Sequence, residues 1–288
     1  MLILSHIGGD LPNHFFDCVK QTRKFFNGKI SLITNSKNLD ELSEHNIEII
    51  NINFENTRFE IAKKINFYGH PSNDFWLYSL SRFFFIEDYV VSNKINDFVI
   101  YENDILIYSD LNNMIEKLSI IYKNIAITIG DDFRATTGFS FFKSYQDLIR
   151  MNDDIIDIIE TPNKMKDIEK NYSDCCPSEM VFIRKISKDK DYIKPLPLFP
   201  EDDYYNDLKF VFDPAAYGQF LGGTSRDYGS LDDFIDKTTY IGKRLFNKEF
   251  KVTYSKEEGP TIINNNNNNE TTKIYNLHIH SKKLYNFI

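Results

Sequence analysis

A chain of 288 residues with 42% hydrophobic side chains can bury one large α/β core, and a membrane-spanning stretch is excluded because no apolar run reaches the required length. A net charge of -8 with scattered basic residues excludes the electrostatic footprint of a nucleic-acid binder. Three cysteines, of which Cys175 and Cys176 are adjacent, exclude a disulfide scaffold and point to a reduced compartment.

The opening run MLILSHI reads as a strand, too short in its apolar part for a signal peptide, so a cytoplasmic location is expected. Gly8-Gly9-Asp10 and a helix over about residues 13–26 follow, the order in which many nucleotide-binding sheets begin. The Gly pair lets the backbone approach a base or ribose, and is equally an ordinary tight turn. Strands at 30–35 (ISLITN) and 47–52 (IEIINI), separated by polar connectors, predict a parallel, doubly wound sheet.

The most informative stretch is FVIYENDILIYSDL, residues 98–111, where an apolar strand runs into Glu102-Asn103-Asp104 and then resumes. Alternation along an extended chain puts residues 102 and 104 on one side and Asn103 on the other. Two carboxylates so placed outline a clamp for Mg²⁺ or Mn²⁺, which in turn hold phosphate oxygens; the plainer alternative is an acidic turn. Further strands are predicted at 125–130 (IAITIG) and 136–144 (TTGFSFFKS), the latter leading into the helix YQDLIRMN. Residues 152–172, rich in Asp, Ile, Glu and Lys at helical spacing, predict a solvated helix.

CCPSEMVFIRKI places Pro177 near the first turn of a helix carrying Glu179, and without a second cysteine pair it is no structural zinc site. In FDPAAYGQFLGGTSRD, Gly222-Gly223 lacks the Lys-Ser/Thr ending of a P-loop, so the segment reads as a structural turn with Asp213 near a cleft. Six asparagines at 264–269 predict a flexible exposed loop. With the Ile, Asn and Lys excess they give the composition of an AT-rich coding sequence, as in some giant viruses and AT-rich microbes. The end of the chain, KIYNLHIHSKKLYNF, predicts a short alternating strand with His278 and His280 on one face, followed by Ser281, Lys282 and Lys283.

The acidic triplet in its setting, preceded by WLYSLSRFFFIEDYVV (76–91) and followed by SDL (109–111), resembles the glycosyltransferases of the GT-A fold. That resemblance implies an α/β, Rossmann-like, mixed but mainly parallel central sheet flanked by helices. It implies one domain, with residues 1–111 as the nucleotide-binding half and 112–288 as the acceptor half ending in a metal and diphosphate segment. The implied donor is a nucleoside-diphosphate sugar, with uracil as the base, and the implied acceptor a glycan or a protein. Ile7, Gly8, Arg82, Tyr101 and Asn103 fall where such enzymes contact the nucleotide, and Thr137 and Gly138 where they line the donor-sugar and acceptor cleft.

The triplet departs from the commonest pattern in having Glu first, and the longer carboxylate moves the metal or relays through water. Asp104 is therefore the firmer metal ligand and Glu102 the weaker. HIHSK is similar in order and position to the C-terminal segment of retaining members, where a His completes the metal shell and a following Lys contacts the diphosphate. On that likeness His278 or His280 joins the metal, and Lys282 or Lys283 meets phosphate. Imidazole among oxygen ligands favours Mn²⁺ over Mg²⁺. An inverting enzyme needs a carboxylate base, for which Glu179 and Asp213 are the candidates, whereas HIHSK points to retention; the stereochemistry stays open. Two other readings stand beside this one. A sugar-phosphate nucleotidyltransferase normally carries basic residues in its first loop, which GGDLPNH lacks, while a non-catalytic glycan- or partner-binding module is supported by Glu102.

Overall fold

Near-continuous β-branched runs such as ISLIT become strands covered on both faces, the usual state of parallel strands in an α/β sheet. The computed structural model describes residues 1–37, 39–67, 74–172, 177–222, 239–265 and 270–288. The readings made above for Cys175, Cys176, Gly223 and most of the asparagine run lie outside the described residues.

In chain order the first elements are β1 (Leu2–His6), α1 (Asn13–Phe25), β2 (Ile30–Thr34), β3 (Ile47–Asn51), α2 (Thr57–Ala62), α3 (Asp74–Ser92) and β4 (Asn96–Tyr101). β5 (Ile105–Ile107), α4 (Leu111–Ile121), β6 (Ile125–Ile129), β7 (Ala135–Ser144), α5 (Tyr145–Glu160), α6 (Pro162–Asn171) and α7 (Glu179–Asp189) follow. Next come β8 (Ile193–Pro195), α8 (Tyr205–Leu208), α9 (Tyr217–Phe220), α10 (Tyr240–Phe246), β9 (Phe250–Ser255), β10 (Gly259–Asn264), β11 (Thr271–Lys273) and β12 (Asn276–His278).

Seven strands form the central sheet in the order β3-β2-β1-β4-β7-β6-β8. Every pairing in it is parallel except the two made by β7, which runs antiparallel between β4 and β6. The mixed, mainly parallel sheet flanked by helices is thus the fold expected from the sequence. Period-two alternation sends neighbouring side chains to opposite layers: Leu2 and Leu4 enter one apolar cluster, Ile3 the other. Along β4, Val99 and Tyr101 face the first cluster while Phe98 and Ile100 face the second. Across β4 and β7, Phe98 lies opposite Phe142 with the rings stacked 5.3 Å apart, an aromatic cross-strand pair that pins the register.

Helix ends follow the local chemistry. Ser144 caps α5 by accepting from the Asp147 N–H, and Asp110 caps α4 by accepting from Asn113. The stretch expected as one solvated helix divides differently. α5 runs on to Glu160 with Asn152, Ile155 and Ile158 buried, and Pro162 starts α6. Hydrophobic spacing had the helical period right, but its apolar stripe is packed against the sheet. Among the described residues, no helix is long and apolar enough to cross a membrane.

Two smaller sheets complete the chain: β11-β10-β9 and β12-β5. The second positions the site. β12 pairs antiparallel with β5, setting His278 opposite Ile105, and the Ile279 N–H donates to the Asp104 carbonyl at 2.9 Å.

Candidate active site

β4 ends at Tyr101 and β5 begins at Ile105, so Glu102, Asn103 and Asp104 form the turn between them, closed by the Ile105 N–H on the Glu102 carbonyl. Because β12 lies along β5, a segment distant in sequence is delivered to this turn. His278 Nε2 is 3.1 Å from Asp104 Oδ2 and 3.4 Å from Glu102 Oε2. Asn103 points the other way, its Oδ1 3.2 Å from His14 Nε2 and its Nδ2 3.4 Å from His6 Nδ1.

Asp104, His278 and His280 each offer a ligand atom, all lying within 4.8 Å of one another. The Asp104 and His278 side chains are buried, and His278 Nδ1 makes no hydrogen bond among the described residues. Burial works to raise the Asp104 carboxyl, but the facing His278 and Lys282 charges outweigh it and hold the group well below the usual carboxylate range. Burial works to lower His278, and the Asp104 charge and hydrogen bond reverse that, leaving it raised. Burial, with His278 beside it, pushes His280 down to about 4, so its ring is neutral near pH 7. The Gln219 amide lies 3.0 Å from His280 Nδ1. That amide atom is Nε2, a donor to Nδ1; with the amide's O and N exchanged, the oxygen accepts from Nδ1–H and the ring Nε2 keeps its lone pair for a metal. One carboxylate and two imidazoles that can be neutral are a donor set that fits a divalent ion of the Mn²⁺ type. Glu102 stands at its margin, since Oε1 is held by Arg82 at 2.7 Å. Lys282 and Lys283 are both exposed, and it is Lys282 whose Nζ lies directly on Asp104 Oδ2.

Glu179 opens α7 and is buried. Its Oε1 accepts from Ser79 Oγ at 2.7 Å and lies 3.8 Å from Arg82 Nη2, while Oε2 has no hydrogen-bond partner among the described residues. Burial pushes the Glu179 carboxyl above its ordinary value against the pull of Arg82. Glu102, Asp104, Glu179, His278, His280 and Lys282 all line one cavity of about 530 Å³. A larger one, about 630 Å³, sits beside β8 among Ile193, Leu196, Leu198, Phe199 and Tyr240 and includes none of these groups.

Several expected contacts lie elsewhere. Tyr101 faces the core: its ring stacks with Phe139 at 6.5 Å and its hydroxyl meets that of Thr22, because alternation turns it away from Glu102. Arg82 is buried on Glu102 and Thr137 rather than turned outward to a nucleotide. Thr137, expected to touch the sugar, is buried behind Glu102 and Glu179, with its Oγ1 3.3 Å and 3.5 Å from them. A Cβ on Gly138 would lie 2.8 Å from His278 Nδ1, so this glycine gives the imidazole room rather than lining the cleft. Gly8 adopts φ +92 at the carboxyl end of β1, just after Ile7, and its N–H donates to Asn35 Oδ1 at 2.9 Å.

Asp213, a candidate base, is committed to the backbone. Oδ1 accepts from the N–H groups of Ala216 and Tyr217, and Oδ2 from those of Gly218 and His278, at 2.6 to 2.9 Å. Four donors leave it no lone pair for an acceptor proton, and the structure makes it a brace that fixes His278. His6 and His14, absent from the sequence reading, flank Asn103 at the carboxyl ends of β1 and β4. Each is a lone His next to a strand end or a helix start, which in sequence reads as an ordinary polar residue.

No protein-family profile and no curated protein matches the chain. Among solved structures it is similar to mouse xyloside xylosyltransferase 1 in its apo form, at 8% identity over 72% of this chain and 91% of that one, with a TM-score of 0.48. It is also similar to the glycosyltransferase GlyE of Streptococcus pneumoniae TIGR4, at 15% identity over 77% of this chain and 48% of that one, TM-score 0.43. The PaToxG glycosyltransferase aligns at 12% identity over 66% of this chain and 69% of its own, TM-score 0.38. All three bear the names of sugar-transferring enzymes.

Proposed function

We propose that this chain is a metal-dependent glycosyltransferase that moves a sugar from a nucleoside-diphosphate sugar, UDP-linked, to a glycan or protein acceptor. The observation that carries the reading is the meeting of Asp104 with His278, His280 and Lys282 across a sequence separation of 174 residues for the Asp104–His278 pair, in a cavity that also holds the buried Glu179. Open α/β sheets bind ligands at the carboxyl ends of their strands, which is where this turn lies. Residues 1–111 then supply most of the nucleotide half, with Asn103, His6, His14 and the Gly8 turn on its side of the cleft, and residues 112–288 most of the acceptor half together with the C-terminal metal and diphosphate segment.

Asp104, His278 and His280 would hold the ion, with Mn²⁺ favoured by the imidazoles, and when bound it supplies Lewis-acid neutralisation of the diphosphate. Lys282 moves its ammonium from Asp104 to the diphosphate, countering the charge that develops as the bond from the anomeric carbon to the leaving oxygen breaks. Arg82 keeps Glu102 and Glu179 in fixed positions. Ser79 holds Glu179 by Oε1, leaving Oε2 to take the proton of the acceptor hydroxyl as its oxygen bonds to the anomeric carbon.

A second reading is favoured by the same contacts. Arg82 on Glu102 and Lys282 on Asp104 compensate both carboxylates from within the chain, as suits a module that binds glycans or a partner without catalysis. Incubation with a panel of nucleoside-diphosphate sugars in Mn²⁺, Mg²⁺ or EDTA separates the two. Metal-dependent release of nucleoside diphosphate from one donor is expected of the enzyme; a binding module releases none.

A further inference from the structure

We infer that the acceptor is a saccharide, and that its ring lies against an aromatic lip formed by Phe75 and Trp76 at the start of α3. This deepens the function proposed above and rests on it. Phe75 is 45% exposed, its ring meets that of Trp76 edge to face at 4.8 Å, and both line the cavity that holds the carboxylates. Positions 75, 76, 79 and 82 recur at helical spacing, so α3 presents the lip, Ser79 and Arg82 along one face.

The order along that face assigns the lip to the acceptor. At one end, Arg82 reaches Glu102 beside the Asp104, His278 and Lys282 cluster, where the diphosphate belongs. In the middle, Ser79 holds Glu179. The lip is one turn beyond, about 6 Å further along the axis at roughly 1.5 Å per residue. The donor sugar occupies the space between diphosphate and Glu179, and the molecule that surrenders its proton to Glu179 must approach from the other side.

The wall chemistry selects the class of molecule. A pyranose has a face of C–H bonds, which suits the electron-rich face of an aromatic ring, and a rim of hydroxyls. Phe75, Trp76, Met180 and Pro214 supply the apolar wall, while Glu179 and Gln219 supply polar atoms at its edge. A purely apolar ligand would leave the buried Glu179 Oε2 unpaired.

Trp76 is the sole tryptophan of the chain, so its fluorescence reports on the lip. The full chain, with UDP and Mn²⁺, is titrated with methyl glycosides and short oligosaccharides of hexoses and pentoses. A saturable change with at least one saccharide is expected, about fivefold to tenfold weaker in Phe75→Ala and restored in Phe75→Tyr. In turnover the Phe75→Ala change should fall on the acceptor KM rather than the donor KM. Metal-dependent donor hydrolysis with no saccharide response would overturn the saccharide assignment while sparing the transferase. A saccharide response that Phe75→Ala weakens, without turnover of any donor, would uphold the site and remove the enzymatic reading.

Discussion

Asp104 carries the densest chemistry in the molecule, because its Oδ2 meets both the His278 imidazole and the Lys282 ammonium. An ammonium and a divalent ion cannot share that carboxylate fully, so under the proposed function Lys282 would compete with metal until a diphosphate draws it away. Lys282→Met should therefore bind Mn²⁺ several-fold more tightly than wild type without nucleotide, and lose that advantage with UDP, as read by calorimetry. The same cluster sets a pH window in metal-free protein. Asp104 lies below its unfolded value of 3.8, so its contribution is present above that value and is lost as pH falls through the folded one. His278 lies above its unfolded 6.5, so its contribution is complete below 6.5 and is lost as pH rises through the folded value. The Tm of metal-free protein should decline on the alkaline side of that window, and His278→Gln should flatten the decline. Glu179, raised by burial, should put the acid limb of kcat/KM above the 4.5 of an ordinary glutamate. Glu179→Gln should remove that limb and cost about 100-fold or more in rate.

At the scale of elements, β12 reaches the turn after β4 by pairing with β5, and Asp213 ties β12 to the start of α9 by accepting from the His278, Ala216, Tyr217 and Gly218 N–H groups. A base at this position would cost activity without stability when removed. A brace would cost both, so Asp213→Ala should lower unfolding free energy by roughly 2–4 kcal/mol, measured by urea denaturation, with metal affinity falling alongside. The Asp213 role had a sequence signal, since an Asp four residues before a short helix can accept from the N–H groups at its start, but a glycine-rich turn near a cleft gives the same signal. Six of the seven strands of the main sheet were legible because β-branched runs between polar connectors have few other uses, whereas β8, the three residues Ile193–Pro195, is too short to show such a run. Which face of β4 met the cleft was not, and a single step of alternation separates the buried Tyr101 from Glu102. The β9–β10 hairpin went unread although FKVTYS and GPTIIN flank a turn with Gly259 at φ +74, because its partners carry no chemical motif.

For the molecule as a whole, the question is whether two segments 174 residues apart in sequence make one functional centre. The acidic triplet and the HIHSK segment each suggested the other from sequence, and β5–β12 pairing supplies the physical link. What the sequence withheld was the long-range environment: Lys282 on Asp104, Arg82 on Glu102, and the burial of Glu179 all arise from packing between elements far apart in the chain. The most direct test is Mn²⁺ binding in the presence of UDP, followed by the electron paramagnetic resonance of the ion in wild type, Asp104→Ala, His278→Ala and His280→Ala. One tight site in wild type, with nitrogen couplings that diminish in each histidine variant and affinity lost by 10-fold or more in Asp104→Ala, is the predicted result. Equal Mn²⁺ affinity in all four proteins would contradict a shared centre built from these two distant segments.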